Sequence, residues 1–294
     1  MKKVSTIILC LFLVKIGFSQ IEKADSIYNI WNEVGEIAFK DNYLYVKTEN
    51  GIKIINCADV NNPSIVKSLA IKGNMNSALL KLHGNYLYSN FIDGIEIFDI
   101  TDRESPVKLG EINKKNAGIE DFIVTDDYIL CEEFKNDPVF GDKSWLVSHD
   151  VSDKSAPKFK YSEELGNNGA ISDFVMNDYI FVKKSYGTYP QISSANHLYS
   201  IANPAFPTDI GEIEIRPTWL DFFGEDTIYT TEKAKIYGIN LTNPLEADTF
   251  ATYGYDGLAT GLLNIKRDTI FLFDVHTGRI YTKVSDDSVD FKVR

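Results

Sequence analysis

Six times along this chain a polar pair is followed by Tyr or Thr, an aliphatic residue and, in all but one copy, an aromatic one. The copies are Asp41-Asn42-Tyr43-Leu44-Tyr45, Gly84-Asn85-Tyr86-Leu87-Tyr88, Asp126-Asp127-Tyr128-Ile129-Leu130, Asn177-Asp178-Tyr179-Ile180-Phe181, Glu225-Asp226-Thr227-Ile228-Tyr229 and Arg267-Asp268-Thr269-Ile270-Phe271. Their third residues stand 43, 42, 51, 48 and 42 positions apart. A fixed period of this length is the signature of a repeat architecture and constrains the fold more than any single motif. An apolar alternating stretch precedes each copy, as in Ile37 with Phe39, Leu80 with Leu82 and Phe122 with Val124. The polar pair is therefore a tight turn between two antiparallel strands, A and B.

A second pattern follows the first. An apolar strand, C, ends in Asn or Asp: Ile52 to Asn56, Ile95 to Asp99, Leu146 to Asp150 and Ile236 to Asn240. Leu198 to Ala202 fits with its final polar residue lost. In the first three copies a proline lies seven residues on, at Pro63, Pro106 and Pro157; Pro207 and Pro244 are displaced equivalents. Asp or Asn initiates a turn by accepting nearby backbone N–H groups, and Pro ends the preceding pairing. A short strand D follows, such as Ile65 to Leu69 or Val107 to Ile112.

Each unit is then four antiparallel strands, and the units run approximately 34–71, 75–115, 117–163, 168–215, 217–253 and 256–294. One such sheet cannot bury both faces alone, whereas six stacked around an axis can. The expected fold is all-β: a six-bladed β-propeller of four-stranded antiparallel blades over residues 34–294. A pair of β-sandwiches gives no reason for one spacing to recur, and no helical periodicity follows residue 33. Residues 34–39 supply strand A of the first unit and 288–293 strand D of the last. Ile27 to Trp31 is left over, as a flap or an added outer strand.

The register of these patterns resembles the LVIVD repeat of bacterial exported β-propellers. The copy that carries it furthest is Leu82-His83-Gly84-Asn85-Tyr86-Leu87-Tyr88, leading to Gly94-Ile95-Glu96-Ile97-Phe98-Asp99 and Pro106. The resemblance covers residues 34–294. It is good in units one to three, fair in four and five and poor in six, where the Asp-to-Pro turn is missing. It implies a propeller fold and export, and no shared catalytic residues.

Residues 1–19 read as a secretory signal peptide. Lys2 and Lys3 precede an apolar run from Val4 to Val14, too short to span a bilayer, and Gly17-Phe18-Ser19 offers a cleavage site before Gln20. Residues 20–33 form an N-terminal extension. The expected location is periplasmic, cell-surface or extracellular, with no transmembrane segment and a monomeric state. The formal net charge of −12 becomes −15 once the leader takes Lys2, Lys3 and Lys15 with it. That acidity argues against nucleic acid as a partner, because phosphate binding needs a basic face. Cys57 and Cys131 fall in non-adjacent units at opposite strand ends, so two unpaired, half-buried thiols are expected rather than a disulfide.

Insertions mark where function is carried on a repeat scaffold. The B–C connections of units three and four, Glu132 to Ser144 and Lys184 to Asn196, are long and emerge on one face, the top. They and their margins carry Phe134, Phe140, Trp145, Tyr186 and Tyr189 together with Glu132, Glu133, Asp137 and Asp142. Aromatic rings with acidic neighbours suit a protein, carbohydrate or cationic partner, or else they pack on one another. Asp173 and Asp221 occupy strand A positions where other units have Ile37, Leu80, Phe122 and Leu263. Two carboxylates near the axis could hold a cation or share a proton, or simply accept bonds from backbone or channel water. Otherwise no cofactor or metal site is expected: the four histidines lack ligand spacing, and no nucleophile elbow, phosphate loop or zinc cysteine pair is present. The leading expectation is an exported, non-enzymatic binding or scaffold protein using the top face of blades three and four. The alternatives are a hydrolase or lyase with Asp173 and Asp221 as weak catalytic candidates, and a purely structural cell-surface protein.

Overall fold

The computed structural model describes residues 34–48, 51–59, 61–72, 79–91, 93–114, 118–135, 143–171, 178–187, 191 and 193–213. Beyond these it describes the strand backbones of 220–223, 227–232, 235–240, 248–254, 261–266, 269–274, 279–284 and 292–293. Residues 1–33, where a signal peptide and an extension are expected, lie outside the described residues. Every described element is a strand.

Six antiparallel sheets each use four strands consecutive in sequence. The first holds β1 (Val34–Lys40), β2 (Tyr43–Thr48), β3 (Gly51–Asn56) and β4 (Ser64–Leu69). The second holds β5 (Leu80–His83), β6 (Tyr86–Phe91), β7 (Gly94–Asp99) and β8 (Val107–Asn113). The third holds β9 (Gly118–Val124), β10 (Tyr128–Lys135), β11 (Lys143–Asp150) and β12 (Lys158–Asn167). The fourth holds β13 (Ala170–Ile171), β14 (Tyr179–Tyr186), β15 (Ser193–Ser200) and β16 (Thr208–Ile213). The fifth holds β17 (Leu220–Phe223), β18 (Thr227–Glu232), β19 (Lys235–Asn240) and β20 (Asp248–Gly254). The sixth holds β21 (Gly261–Lys266), β22 (Thr269–Asp274), β23 (Arg279–Val284) and β24 (Lys292–Val293). Among the described residues the sixth sheet is completed by its own β24, paired to β23.

One backbone bond explains why the two sequence patterns recur together. In the first four sheets the residue after the C strand donates its N–H to a carbonyl of the A–B turn. The pairs are Cys57 to Asn42 at 2.7 Å, Ile100 to Asn85 at 2.8 Å, Val151 to Asp127 at 2.7 Å and Ile201 to Asp178 at 2.7 Å. In the first and fourth turns the backbone is left-handed, with φ of 49° and 64° at Asp41 and Asn42 and 63° at Asp178, values Asn, Asp and Gly tolerate. The C-strand terminal residue then makes an Asx turn, with Asn56 Oδ1 accepting Ala58 N at 2.9 Å and Asp99 Oδ1 accepting Thr101 N at 2.7 Å. In the fourth sheet this place is not lost. Ser200 stands opposite Tyr179 as Asn56 stands opposite Tyr43, and its hydroxyl accepts Ala202 N at 3.3 Å. The sequence pattern there is Asn196 to Ser200, two residues earlier than expected. A register shift recurs where the D strand meets the C strand, with Val66 of β4, Leu109 of β8, Ile210 of β16 and Phe250 of β20 as the extra residue.

The chain divides into two compact units. One comprises Met1–Glu120, Val124–Asp127 and Val151–Lys158, the other Asp121–Ile123, Tyr128–Asp150 and Phe159–Arg294. In the first, β1 lies beside β5, and Tyr45, Ile52, Ile54 and Leu69 bury against Leu80, Leu87, Phe98 and Ile100. In the second, β17 lies beside β21, and Leu130, Leu146 and Leu165 bury against Ile180, Val182, Tyr199 and Ile201. These clusters come from alternate strand positions, as a sheet with period two requires. Cys57 and Cys131 are free, and both are buried rather than half-buried. Among the described residues no helix is long and apolar enough to cross a membrane.

Candidate functional site

Within the second unit, the loop ends of the third and fourth sheets enclose an open cleft of about 580 Å³, lined by Lys143, Glu164 to Asn167 and Lys184 to Gly187. The strands that build it are set by the hydrophobic core just below. Ile180 and Val182 of β14 face Leu165 of β12 in that core, so the next same-side residues of β14, Lys184 and Tyr186, come out at the cleft. On β15 the same alternation follows Tyr199 with His197. Gly166 lets β12 approach β14: a Cβ there would lie 1.9 Å from the Ser185 carbonyl oxygen, and φ is +86°.

A continuous polar chain runs beneath the cleft. Glu163 accepts bonds from Tyr161 Oη at 2.6 Å and Tyr199 Oη at 2.9 Å. Lys184 Nζ lies 2.8 Å from both Glu163 and Asp209 and 5.2 Å from the centre of the Tyr199 ring. Asp209 meets His197 Nδ1 at 3.0–3.1 Å, and His197 Nε2 lies 2.8 Å from Tyr186 Oη. A carboxylate only accepts, so Nδ1 carries a proton directed at Asp209, and Nε2 shares a hydrogen bond with the tyrosine hydroxyl. The Tyr186 ring is thereby tethered at its tip while 48% of the residue stays exposed.

The electrostatics follow from these contacts. Burial works against the Glu163 and Asp209 carboxylates. The bonds that Lys184 and Tyr161 give to Glu163, and those that Lys184 and His197 give to Asp209, outweigh it and hold both below their usual values. Burial likewise works against the Lys184 charge, but its two carboxylate partners push its pKa up. Burial and the Glu163 carboxylate raise the Tyr161 and Tyr199 phenols. At the rim Lys143 Nζ lies 2.8 Å from Glu164. Among the described residues no group of three or more His, Cys, Asp or Glu is placed to hold a metal ion.

Of the residues singled out from sequence, Tyr186 lines the cleft. Glu132 and Glu133 belong to β10, not to a loop, because β10 and β11 pair out to Lys135 and Lys143. They are 6% and 0% exposed, and Glu132 accepts the Ile171 N–H at 3.2 Å. Phe134 and Trp145 are half-buried in the same hairpin, opposite Ser144 and Glu133. Phe140, Tyr189, Asp137, Asp142 and Asp173 lie outside the described residues. Asp221 sits in β17, at the register shift between Leu220 and Phe222. Sequence reasoning did not find Glu163, Lys184 or Asp209, and noted His197 as an isolated histidine. The available signal was period two: Lys184 and Tyr186 continue the buried side of β14, and His197 precedes Tyr199 on the buried side of β15.

No family model and no curated protein matches the chain. Solved structures do. A hypothetical selenium-binding protein from Sulfolobus tokodaii superposes with a TM-score of 0.58 at 13% identity, over 86% of this chain and 74% of that one. A putative 6-phosphogluconolactonase from Bacteroides fragilis gives 0.59 at 8% identity, over 86% and 80%. The CNH domain of AfRom2 gives 0.53 at 9% identity, over 89% and 84%. At such identities the likeness is one of fold, and with six sheets of four consecutive antiparallel strands it puts the chain in the β-propeller fold class.

Proposed function

We propose that this chain is an exported, LVIVD-type β-propeller that acts as a binding module through the loop ends of its third and fourth sheets. The observation that supports this most is Tyr186: a half-exposed aromatic ring, held at its hydroxyl by a hydrogen-bonded His–Asp pair, on the wall of an open cleft. Exposed aromatics held rigid contribute contact area with little ordering entropy to lose, which is the character of a recognition residue. The leader-like residues 1–19 and the resemblance to exported propellers support a location outside the cytoplasm. The test is capture from an envelope fraction by the wild-type protein and by Tyr186→Ala, with thermal melting as a control. The reading expects partners lost in Tyr186→Ala at unchanged melting temperature. Identical partners, or a lowered melting temperature with identical partners, would mean that the ring only packs. Sequencing the exported protein should find Gln20 at its N-terminus; a retained leader would overturn the export assignment.

A further inference from the structure

The cleft has a composition that selects among ligands. Its charged groups are matched to within one negative charge: Lys143 with Glu164 at the rim, and Lys184 between Glu163 and Asp209 below. Such matched charges offer hydrogen-bond donors and acceptors side by side without a strong net field, which matches a neutral polyhydroxyl compound rather than a polyanion or polycation. The volume of about 580 Å³ falls within the roughly 300–1,000 Å³ of small-ligand sites. A protein interface instead depletes charged residues from its centre, and here Lys184 lines the cleft with two carboxylates beneath it. Among the described residues the one large ring on the wall is Tyr186. The negative face of an aromatic ring attracts weakly positive C–H groups, and the apolar face of a pyranose is a plane of such groups.

We propose that the cleft binds a neutral saccharide, with Tyr186 as its stacking platform and His197 and Asp209 as positioning residues that fix the platform's angle. This rests on the binding reading above and narrows it to one ligand class. The tether is a chain of contacts: Asp209 accepts from His197 Nδ1, and His197 Nε2 is hydrogen-bonded to Tyr186 Oη at 2.8 Å. Removing either the hydroxyl or the imidazole frees the ring without taking it off the wall.

The experiment uses the chain without its leader and four defined probes: cellobiose, maltotriose, laminaritriose and chitotriose. Binding is followed by saturation-transfer NMR and calorimetry at pH 7.5. At least one probe should bind. Tyr186→Ala should lose about tenfold or more in affinity. Tyr186→Phe, which keeps the ring and loses the tether, and His197→Gln should each lose a few-fold. Adding His197→Gln to Tyr186→Phe should cost no further affinity, because the tether is already gone. If no probe binds while envelope capture remains sensitive to Tyr186→Ala, the saccharide assignment is wrong and the binding reading survives. If a probe binds equally to wild type and Tyr186→Ala, the cleft is not the saccharide site. A further loss when His197→Gln is added to Tyr186→Phe would remove His197 and Asp209 from the proposed role.

Discussion

Substituting Gly166 by Ala separates two costs that glycine usually hides together. At Gly166 the new Cβ would sit 1.9 Å from the Ser185 carbonyl oxygen and 2.9 Å from its carbonyl carbon, with φ at +86°. Gly84, in the second A–B turn, has φ of +55° and nothing within 4 Å of the same added atom. Gly84→Ala therefore meets only the left-handed backbone, at about 1–2 kcal/mol. Gly166→Ala meets that cost and a contact with backbone that no rotamer change relieves, adding about 1–3 kcal/mol for the forced shift. For a chain of this size each kcal/mol moves the melting temperature by roughly 2–4 °C. Gly84→Ala should therefore melt roughly 2–8 °C below wild type, and Gly166→Ala roughly 2–12 °C lower again. The Ser185 strand end can yield only by carrying Tyr186 with it, so saccharide binding should weaken in Gly166→Ala and not in Gly84→Ala. Thermal melts of both variants at pH 7.5 provide the measurement. Equal melting temperatures would show that the approach of β12 to β14 is looser than 1.9 Å implies, and the construction of the cleft floor argued above would fail.

Lys184→Met removes the shared cation from two carboxylates that are 27% and 28% exposed and keep the donors Tyr161, Tyr199 and His197. The loss should be about 1–3 kcal/mol, below the roughly 3–5 of a fully buried broken pair. Glu163 and Asp209 have depressed pKa values, so their contribution is present above the unfolded value near 4 and is lost as pH falls through the lower folded values. Stability scans from pH 6 to 2 should show a steeper acid limb in wild type than in Lys184→Met. Asp99→Ala deletes the 2.7 Å Asx bond to Thr101 and should cost about 1 kcal/mol in denaturant titrations, whereas a neutral result would make the C–D turn self-sufficient. Burial raises the thiol pKa of Cys57, and that of Cys131 well above the ordinary value. Ellman's reagent should find neither thiol in the native, leaderless protein and both in denaturant; fewer than two on unfolding would reveal a disulfide.

The repeat could be read from sequence because its chemistry is local. A hairpin turn at positive φ favours Asp, Asn or Gly, as at Asp41, Asn42, Gly84 and Asp178, and an Asx turn needs a short acceptor, so both positions keep a narrow residue choice in most copies, with Glu225 and Arg267 as departures. The fourth unit shows the edge of that legibility: Ser200 performs the Asn56 role with a hydroxyl, and a search for Asp or Asn steps over it to Ala202. The site was harder for the opposite reason. Glu132 and Glu133 look like loop residues because charge usually marks the surface, yet pairing carries β10 on to Lys135 and buries both. Lys184, Glu163, Asp209 and His197 are likewise charged or titratable residues held in strands, and none forms a motif along the chain. Their meaning comes from Lys184 standing between two carboxylates from different strands, which no spacing in one segment encodes. What sequence does record is the alternation that puts Lys184 and Tyr186 on the core side of β14. A buried-side lysine in a strand must find counter-charges where it emerges or lose its charge, so a cationic residue in phase with an apolar face marks a sheet end where polar groups from neighbouring strands must converge. That convergence is what distinguishes this cleft from an ordinary gap between two loops.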